Sequence, residues 1–310
     1  GLVDYIVHPL RHTELLRRMI RKAIELHTLA QERDRDRERL AELNESLETH
    51  LALLRMDQQS GGHIQRRLLP AHPKVINGVY YDYWFAPSLY LSGDFLDYQR
   101  YNDRFSAFYF ADVSGHGASS AFVTVLLKYL CNRWLSEWDG QAPERLPPDW
   151  LAAMNRELQD TNIGKHATLF VGVIDHEAHT LHYSLGAQLP MPLLAADGKL
   201  ERLTGEGMPV GLFPDVEYPA LSCALPANFR LWLCSDGVLE CLPGKTLDTR
   251  LTELEQLVSE SVTLEQLRDR LAKTNSLLIE GDEDDEANQD RDALPDDLTI
   301  MMVSGFGHAD

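Results

Sequence analysis

The sequence is short of cysteine. Its 310 residues hold four, Cys131, Cys223, Cys234 and Cys241, with no CxxC spacing among them. That excludes a disulfide framework and a thiolate zinc site, and it fits a reducing, cytoplasmic setting in which thiols act as small core residues. No run of about 18 apolar residues occurs, so no membrane span is expected. The N-terminal stretch GLVDYIVHPLRHTELL lacks the charged start and apolar run of a secretory signal and reads as the cut end of something longer. Positive charge is scarce as well. The formal net charge is −19, and residues 71–310 carry 17 Lys/Arg against 37 Asp/Glu, whereas residues 1–70 carry 12 against 11. A domain that acidic cannot neutralise a phosphate backbone, so nucleic acid is excluded as a partner, while cations are welcome.

Proline and glycine are missing from residues 13 to 60, which are rich in Leu, Glu, Arg and Ala. This predicts one long helix. Leu40, Leu43, Leu47 and Leu54 follow heptad spacing with Leu51 one step off register, and Leu15, Met19, Ile20, Ala23, Ile24 and Leu26 form an earlier apolar stripe. So narrow a seam on so long a helix suggests a coiled coil and a homodimer; the other reading is a single helix packed on its own domain. Gly61-Gly62 is expected to break the helix.

Beyond that point the pattern turns to strands. VYYDYWFA (79–86) alternates with period two, RFSAFYFADV (104–113) is mostly apolar, and 167–187 reads as two strands around a turn. NFRLWLCSDG (228–237) stops at an acid, and DDLTIMMVSGF (296–306) begins at acids. Helices are expected between them, one with an apolar face of Ala121, Phe122, Val125, Leu126, Tyr129 and Leu130. Strands, then helices, then strands again point to an α+β layered domain. Residues 280–297, nearly all acidic and polar, read as a flexible loop.

FYFADVSGHGASSAF looks like strand, glycine loop and helix, the order of a phosphate cradle. Yet Asp112 at the strand end would repel phosphate unless a metal ion stands between them. The same feature recurs in LSGDFLD (Asp94, Asp97), CSDGVLE (Asp236) and PDDLT (Asp296, Asp297). Single aspartates in turns are ordinary. Four at strand ends suggest convergence, and converging carboxylates need cations or protons. Oxygen-only ligands select hard ions, Mg2+ or Mn2+. Two such ions together are a device of phosphoryl chemistry.

The ordered set GDFLD, ADVSGHGASSAF, TLFVGVID, LGAQLPMPLL, GMPVGL, LCSDGVLE and DDLTI resembles metal-dependent serine/threonine phosphatases of the PP2C type. It is most similar to the bacterial branch that regulates sigma factors by partner switching, and IQRRLLP also matches that branch. The resemblance implies a β-sandwich of two antiparallel sheets flanked by helices. It implies that Asp94, Asp112, Asp236 and Asp296 are catalytic through two Mn2+ or Mg2+ ions, with the Val113 carbonyl and Asp297 as further contacts, Asp297 in a supporting role. Gly93, Gly115, Gly117 and Gly237 would shape the loops. His116 is not the equivalent of the histidine some members carry, because Ser114 occupies that position; it reads as a loop or core histidine more than as a general acid. Gln188 stands where this branch often has histidine. The implied substrate is a phosphorylated protein, such as an anti-sigma factor antagonist.

VDYIVHPLRHTELLRRMIRKAIE resembles the last strand and helix of a response-regulator receiver, with His8-Pro9 where Lys-Pro is usual. The implied organisation is a receiver remnant at 1–27, a coiled-coil linker at 28–61 and the phosphatase domain at 62–310, similar to RssB-type regulators of the general stress sigma factor. An upstream receiver body and its kinase would then act on this chain. The alternative function is a non-catalytic adaptor that binds a stress sigma factor or its regulator; a site so degenerate is free to lose carboxylates, and this one keeps them. If the leucine seam pairs two chains, light scattering at micromolar concentration will give the mass of a dimer; a monomer would remove the coiled coil.

Overall fold

The computed structural model describes residues 13–274 and 294–308. The His8-Pro9 segment and most of the acidic 280–297 stretch lie outside the described residues. The chain divides into two compact units, Gly1–Asp57 and Gln58–Asp310. Helix α1, Thr13–Leu68, begins in the first and ends in the second. In the first unit the seam residues Leu40, Leu43, Leu47 and Leu54 are all exposed. No helix of the described residues is long and apolar enough to cross a membrane.

The second unit is α+β. One sheet takes β1 (Lys74–Ile76), β2 (Val79–Ala86), β7 (Leu193–Ala196), β8 (Lys199–Arg202), β10 (Arg230–Cys234) and β11 (Leu298–Ser304) in the order β1-β2-β11-β10-β7-β8. The other takes β3 (Asp94–Arg100), β4 (Phe105–Val113), β5 (Ala167–Asp175), β6 (Thr180–Gly186) and β9 (Leu221–Ala224) in the order β3-β4-β5-β6-β9. All pairings are antiparallel.

Strand parity sorts the side chains into layers. Leu96, Tyr98, Phe108, Phe110 and Phe170 share one core with Tyr81, Leu231 and Met301 of the facing sheet. The alternate residues Phe95, Tyr109, Ala111 and Val171 pack under α2 (Ala118–Glu137) and α3 (Leu146–Thr161). On the far side Trp232, Ile300 and Met302 pack with Val238 and Leu239 of the short α4 (Gly237–Glu240) under α5 (Leu247–Ser259) and α6 (Leu264–Thr274). Strands such as β4, buried on both faces, are apolar nearly throughout for this reason.

Two expectations are corrected. Helix α2 buries only part of the predicted face: Ala121 and Leu130 are buried and Leu126 is half-buried, but Phe122 and Tyr129 are 72% and 62% exposed, and Val125 is also exposed. The buried stripe is Ser120, Ala121, Val123, Thr124, Leu127, Leu130, Cys131 and Leu135. Small polar residues belong to it because they meet hydrogen-bonding partners, so hydrophobicity alone misplaces part of the face. The Thr124 hydroxyl accepts from Gln65 Nε2 at 3.0 Å. The same amide nitrogen donates to the Ser92 carbonyl at 2.7 Å, and Gln65 Oε1 accepts from the Ser92 N–H at 3.0 Å.

Nor do the paired glycines end the first helix, which continues through them to Leu68. They are there for close approach. A Cβ on Gly62 would lie 2.2 Å from the Tyr90 carbonyl oxygen, and one on Gly61 would touch Leu91 at 3.3 Å. Alanine in a helix interior normally stabilises relative to glycine by roughly 1 kcal/mol. At Gly62 the sign will invert: Gly62→Ala is expected to lower the unfolding free energy by about 1–3 kcal/mol in urea melts, the usual cost of overpacking. A stability equal to or above the parent's would disprove the close approach.

Candidate metal centre

Antiparallel pairing sets Asp94 directly opposite Asp112 at one end of the first acid-bearing sheet. Thr168 is the partner of Asp112 on its other side. In the facing sheet, Asp236 follows β10 and Asp296 and Asp297 precede β11, the antiparallel neighbour of β10. The strand ends meet on a cavity of about 520 Å³, whose lining includes Asp112, Val113, Asp236, Asp296 and Asp297. Asp94 is 1% exposed, and its Oδ2 has no hydrogen-bond partner. Asp97, three residues along the strand, falls on the opposite face. There it is ion-paired to Lys128 at 2.9 Å, which removes it from the site.

Like charges opposed across a strand pair are destabilising. The titration of these acids reflects it. Burial first, then the charges of Asp236 and Asp296, pushes Asp112 up to about 8 from an ordinary 3.8. Burial and the Asp112 charge raise Asp94 well above its usual range. Asp236 is raised by burial and by Asp296.

Asp297 does different work from its neighbour. Its Oδ1 accepts from the Ser88 N–H at 2.7 Å and the Ser88 hydroxyl at 2.8 Å, and its Oδ2 accepts from the Gly93 N–H at 2.8 Å. It therefore straps one sheet to the segment that delivers Asp94. Ser235 ties the other pair of loops, donating to the Asp297 carbonyl at 3.1 Å and accepting from the Thr299 N–H at 2.9 Å. Two glycines let these backbones touch. A Cβ on Gly237 would stand 2.1 Å from the Asp297 carbonyl oxygen, and one on Gly93 would stand 2.5 Å from that of Val113.

The loop after Asp112 turns through Gly115 and Gly117, both at positive φ. It is held from inside by the Ser120 hydroxyl, which donates to the carbonyls of Ser114 (3.1 Å) and Gly115 (2.9 Å). Lys165 Nζ donates to the Ser114 carbonyl at 2.8 Å and to Ser120 Oγ at 3.1 Å. Sequence reasoning missed Lys165 and its neighbour His166, which also lines the cavity; neither sits in a motif. His116 lines the cavity and is exposed, so it is a loop histidine and not a core one. Gln188 is buried away from the cavity lining, with Nε2 donating to the Cys234 carbonyl at 3.0 Å.

Among the described residues, no three His, Cys, Asp or Glu side chains stand close enough together, as placed, to hold a metal ion. The acids converge without enclosing one. Their chemistry nevertheless fits a hard divalent cation: the donors are all oxygen, Asp94 carries an orphaned buried oxygen, and mutual repulsion is relieved only by protons or metal.

Two antiparallel sheets face to face, helices outside, and acids gathered where the sheet ends meet are the architecture of PP2C-type phosphatases. The chain belongs to the Stage II sporulation protein E (SpoIIE) family, whose model matches residues 102–304. Among curated proteins it is similar to the phosphoserine phosphatase RsbP of Bacillus subtilis, 27% identical over 57% of this chain and 43% of the relative. The SiaA PP2C domain of Pseudomonas aeruginosa shares the fold, with a TM-score of 0.63 at 18% identity, covering 82% of this chain and 98% of that one. So does the catalytic domain of the serine/threonine phosphatase PstP, solved with 2 manganese ions, with a TM-score of 0.50 at 15% identity over 73% of this chain and 97% of that one. The chain spans less than half the length of the curated relatives it matches, 43% and 36%.

The raised carboxylates make a stability prediction for the protein in chelator. Asp112 at about 8 against 3.8 in the unfolded chain means the folded state holds the extra proton across that window. The stability contributed by this group is then full below about pH 4 and is lost as pH rises towards 8. In EDTA, Asp112→Asn is expected to flatten this decline and to melt above the parent at pH 8. Parallel melting curves for the two proteins across the range would show that the acids do not repel.

Proposed function

We propose that this chain is a metal-dependent protein phosphatase that hydrolyses phosphoserine or phosphothreonine on a partner protein. The observation that carries the proposal is the convergence of Asp112 from one sheet with Asp236 and Asp296 from the other on a single cavity, with the buried Asp94 directly opposite Asp112. Asp94, Asp112, Asp236 and Asp296 would hold two Mn2+ or Mg2+ ions, with the Val113 carbonyl beside them. The chemistry such ions supply when bound is polarisation of phosphate oxygens and of an attacking water. The remaining residues fix the shape of the site. Asp297 sets the Gly93 segment, Ser235 joins the loops around Asp236, and Lys165 with Ser120 holds the turn after Asp112. The open cavity admits a side chain displayed on a protein surface.

A partner of the anti-sigma antagonist class is supported by the similarity to RsbP and by the family. A receiver upstream and a paired coiled coil would be the means of controlling the site. An adaptor without catalysis is disfavoured, because no carboxylate has been lost from the set.

Purified protein is expected to release phosphate from an aryl phosphate and from a phosphoserine protein only with Mn2+ or Mg2+. Loss of groups behind metal ligands typically costs 10- to 100-fold. Asp112→Ala or Asp236→Ala, which removes a ligand itself, should therefore cost more than about 100-fold. Full turnover in EDTA, or unimpaired turnover in both variants, would sink the mechanism.

A further inference from the structure

We propose that His166 is a substrate-contacting residue, whose imidazole donates to an oxygen of the phosphate monoester, with the Thr168 hydroxyl beside it. This deepens the phosphatase reading and rests on it.

Among the described residues, the charged side chains lining the cavity are the acids Asp112, Asp236, Asp296 and Asp297, and no lysine or arginine lines it. A phosphate dianion brought there needs hydrogen-bond donors from the protein as well as cations. The ammonium of Lys165, next in sequence to a lining residue, is taken: its Nζ is bonded to the Ser114 carbonyl and Ser120 Oγ. The adjacent residue is not. His166 is half-buried on the cavity wall, and its ring makes no hydrogen bond among the described residues.

Its backbone is firmly placed. The Ser114 N–H donates to the His166 carbonyl at 2.8 Å, and the His166 N–H donates to Ser114 Oγ at 3.2 Å. The next residue, Ala167, exchanges two backbone bonds of 2.8 Å with Val210. The ring thus projects from a segment pinned on both sides, the condition for a preorganised contact.

Residues 166 and 168 share one side of an extended strand. Thr168 lines the same cavity, and its Oγ1 is buried with no partner. It is also the direct cross-strand partner of Asp112. An idle imidazole and an orphaned hydroxyl therefore stand in line beside the carboxylate assigned to the metal. The half-buried imidazole supplies the donor that an acidic pocket requires if it is to hold a phosphate ester by more than its cations, with the buried hydroxyl next to it. His116 also lines the cavity but is exposed on the turn.

The test uses the whole chain, with Mn2+ at saturation. Steady-state hydrolysis of para-nitrophenyl phosphate and calorimetric binding of inorganic phosphate are compared for the parent, His166→Ala, His166→Gln and Thr168→Val. One hydrogen bond to a charged group corresponds to about tenfold or more. His166→Ala is expected to raise KM and the phosphate dissociation constant by about tenfold, with a smaller change in kcat. His166→Gln, which keeps an N–H donor, should recover part of the loss, and Thr168→Val should lose phosphate affinity in the same direction. The Mn2+ concentration for half-activation should stay at the parent's value in His166→Ala, which a collapsed site would not allow. KM and phosphate affinity within twofold of the parent in both His166 variants would overturn the assignment while leaving the phosphatase reading intact. A parent that hydrolyses nothing with Mn2+ and binds no phosphate would overturn both.

Discussion

Carboxylates of one sign, forced together at the seam between two sheets, are the constraint around which this domain is built. Asp94 and Asp112 are cross-strand partners, and Asp236 and Asp296 arrive from adjacent strands of the facing sheet. Nothing about such an arrangement is favourable in itself; burial and mutual charge lift the acids towards protonation. The surroundings hold them in place. Asp297 accepts three hydrogen bonds from the Ser88–Gly93 segment, Ser235 bridges two loops, and glycines at 93 and 237 remove the side chains that would keep the backbones apart. A domain with a large excess of acid is thus organised to keep its most costly acids together.

Much of this is legible in the sequence because strands announce themselves by period two and end at the acids. The longer strands β2, β4, β5, β6, β10 and β11 all fall where alternation or an apolar run placed them. The short strands β1, β7, β8 and β9 do not, since three or four residues carry too little pattern. Asp94 and Asp97 looked like turn residues, yet both lie within β3. One faces the acids and the other a lysine, because their separation is odd.

The misreadings share a cause. A sequence shows what a residue is and not what it meets. Gly61 and Gly62 carry the signature of a break, but the helix passes through them, and their missing side chains make room for Leu91 and the Tyr90 carbonyl. The buried face of α2 departs from the apolar stripe because Ser120 and Thr124, polar on any scale, have bonding partners inside, while Phe122 and Tyr129 are exposed. Lys165 and His166 are adjacent, unmarked by any motif, and turned to opposite duties: one seals a loop from behind and the other faces the cavity.

The Gln65 amide has a consequence of its own. Both its ends are bonded, to the Ser92 backbone and to Thr124, and Ser92 lies two residues before Asp94. A helix advances about 1.5 Å and turns about 100° per residue. A step of that size at the foot of α1 would carry the amide off all its partners at once, leaving them buried and unmatched. The side chain is an index mark on a shaft. It permits one angular setting of the helix end against both the segment that leads into Asp94 and the inner face of α2.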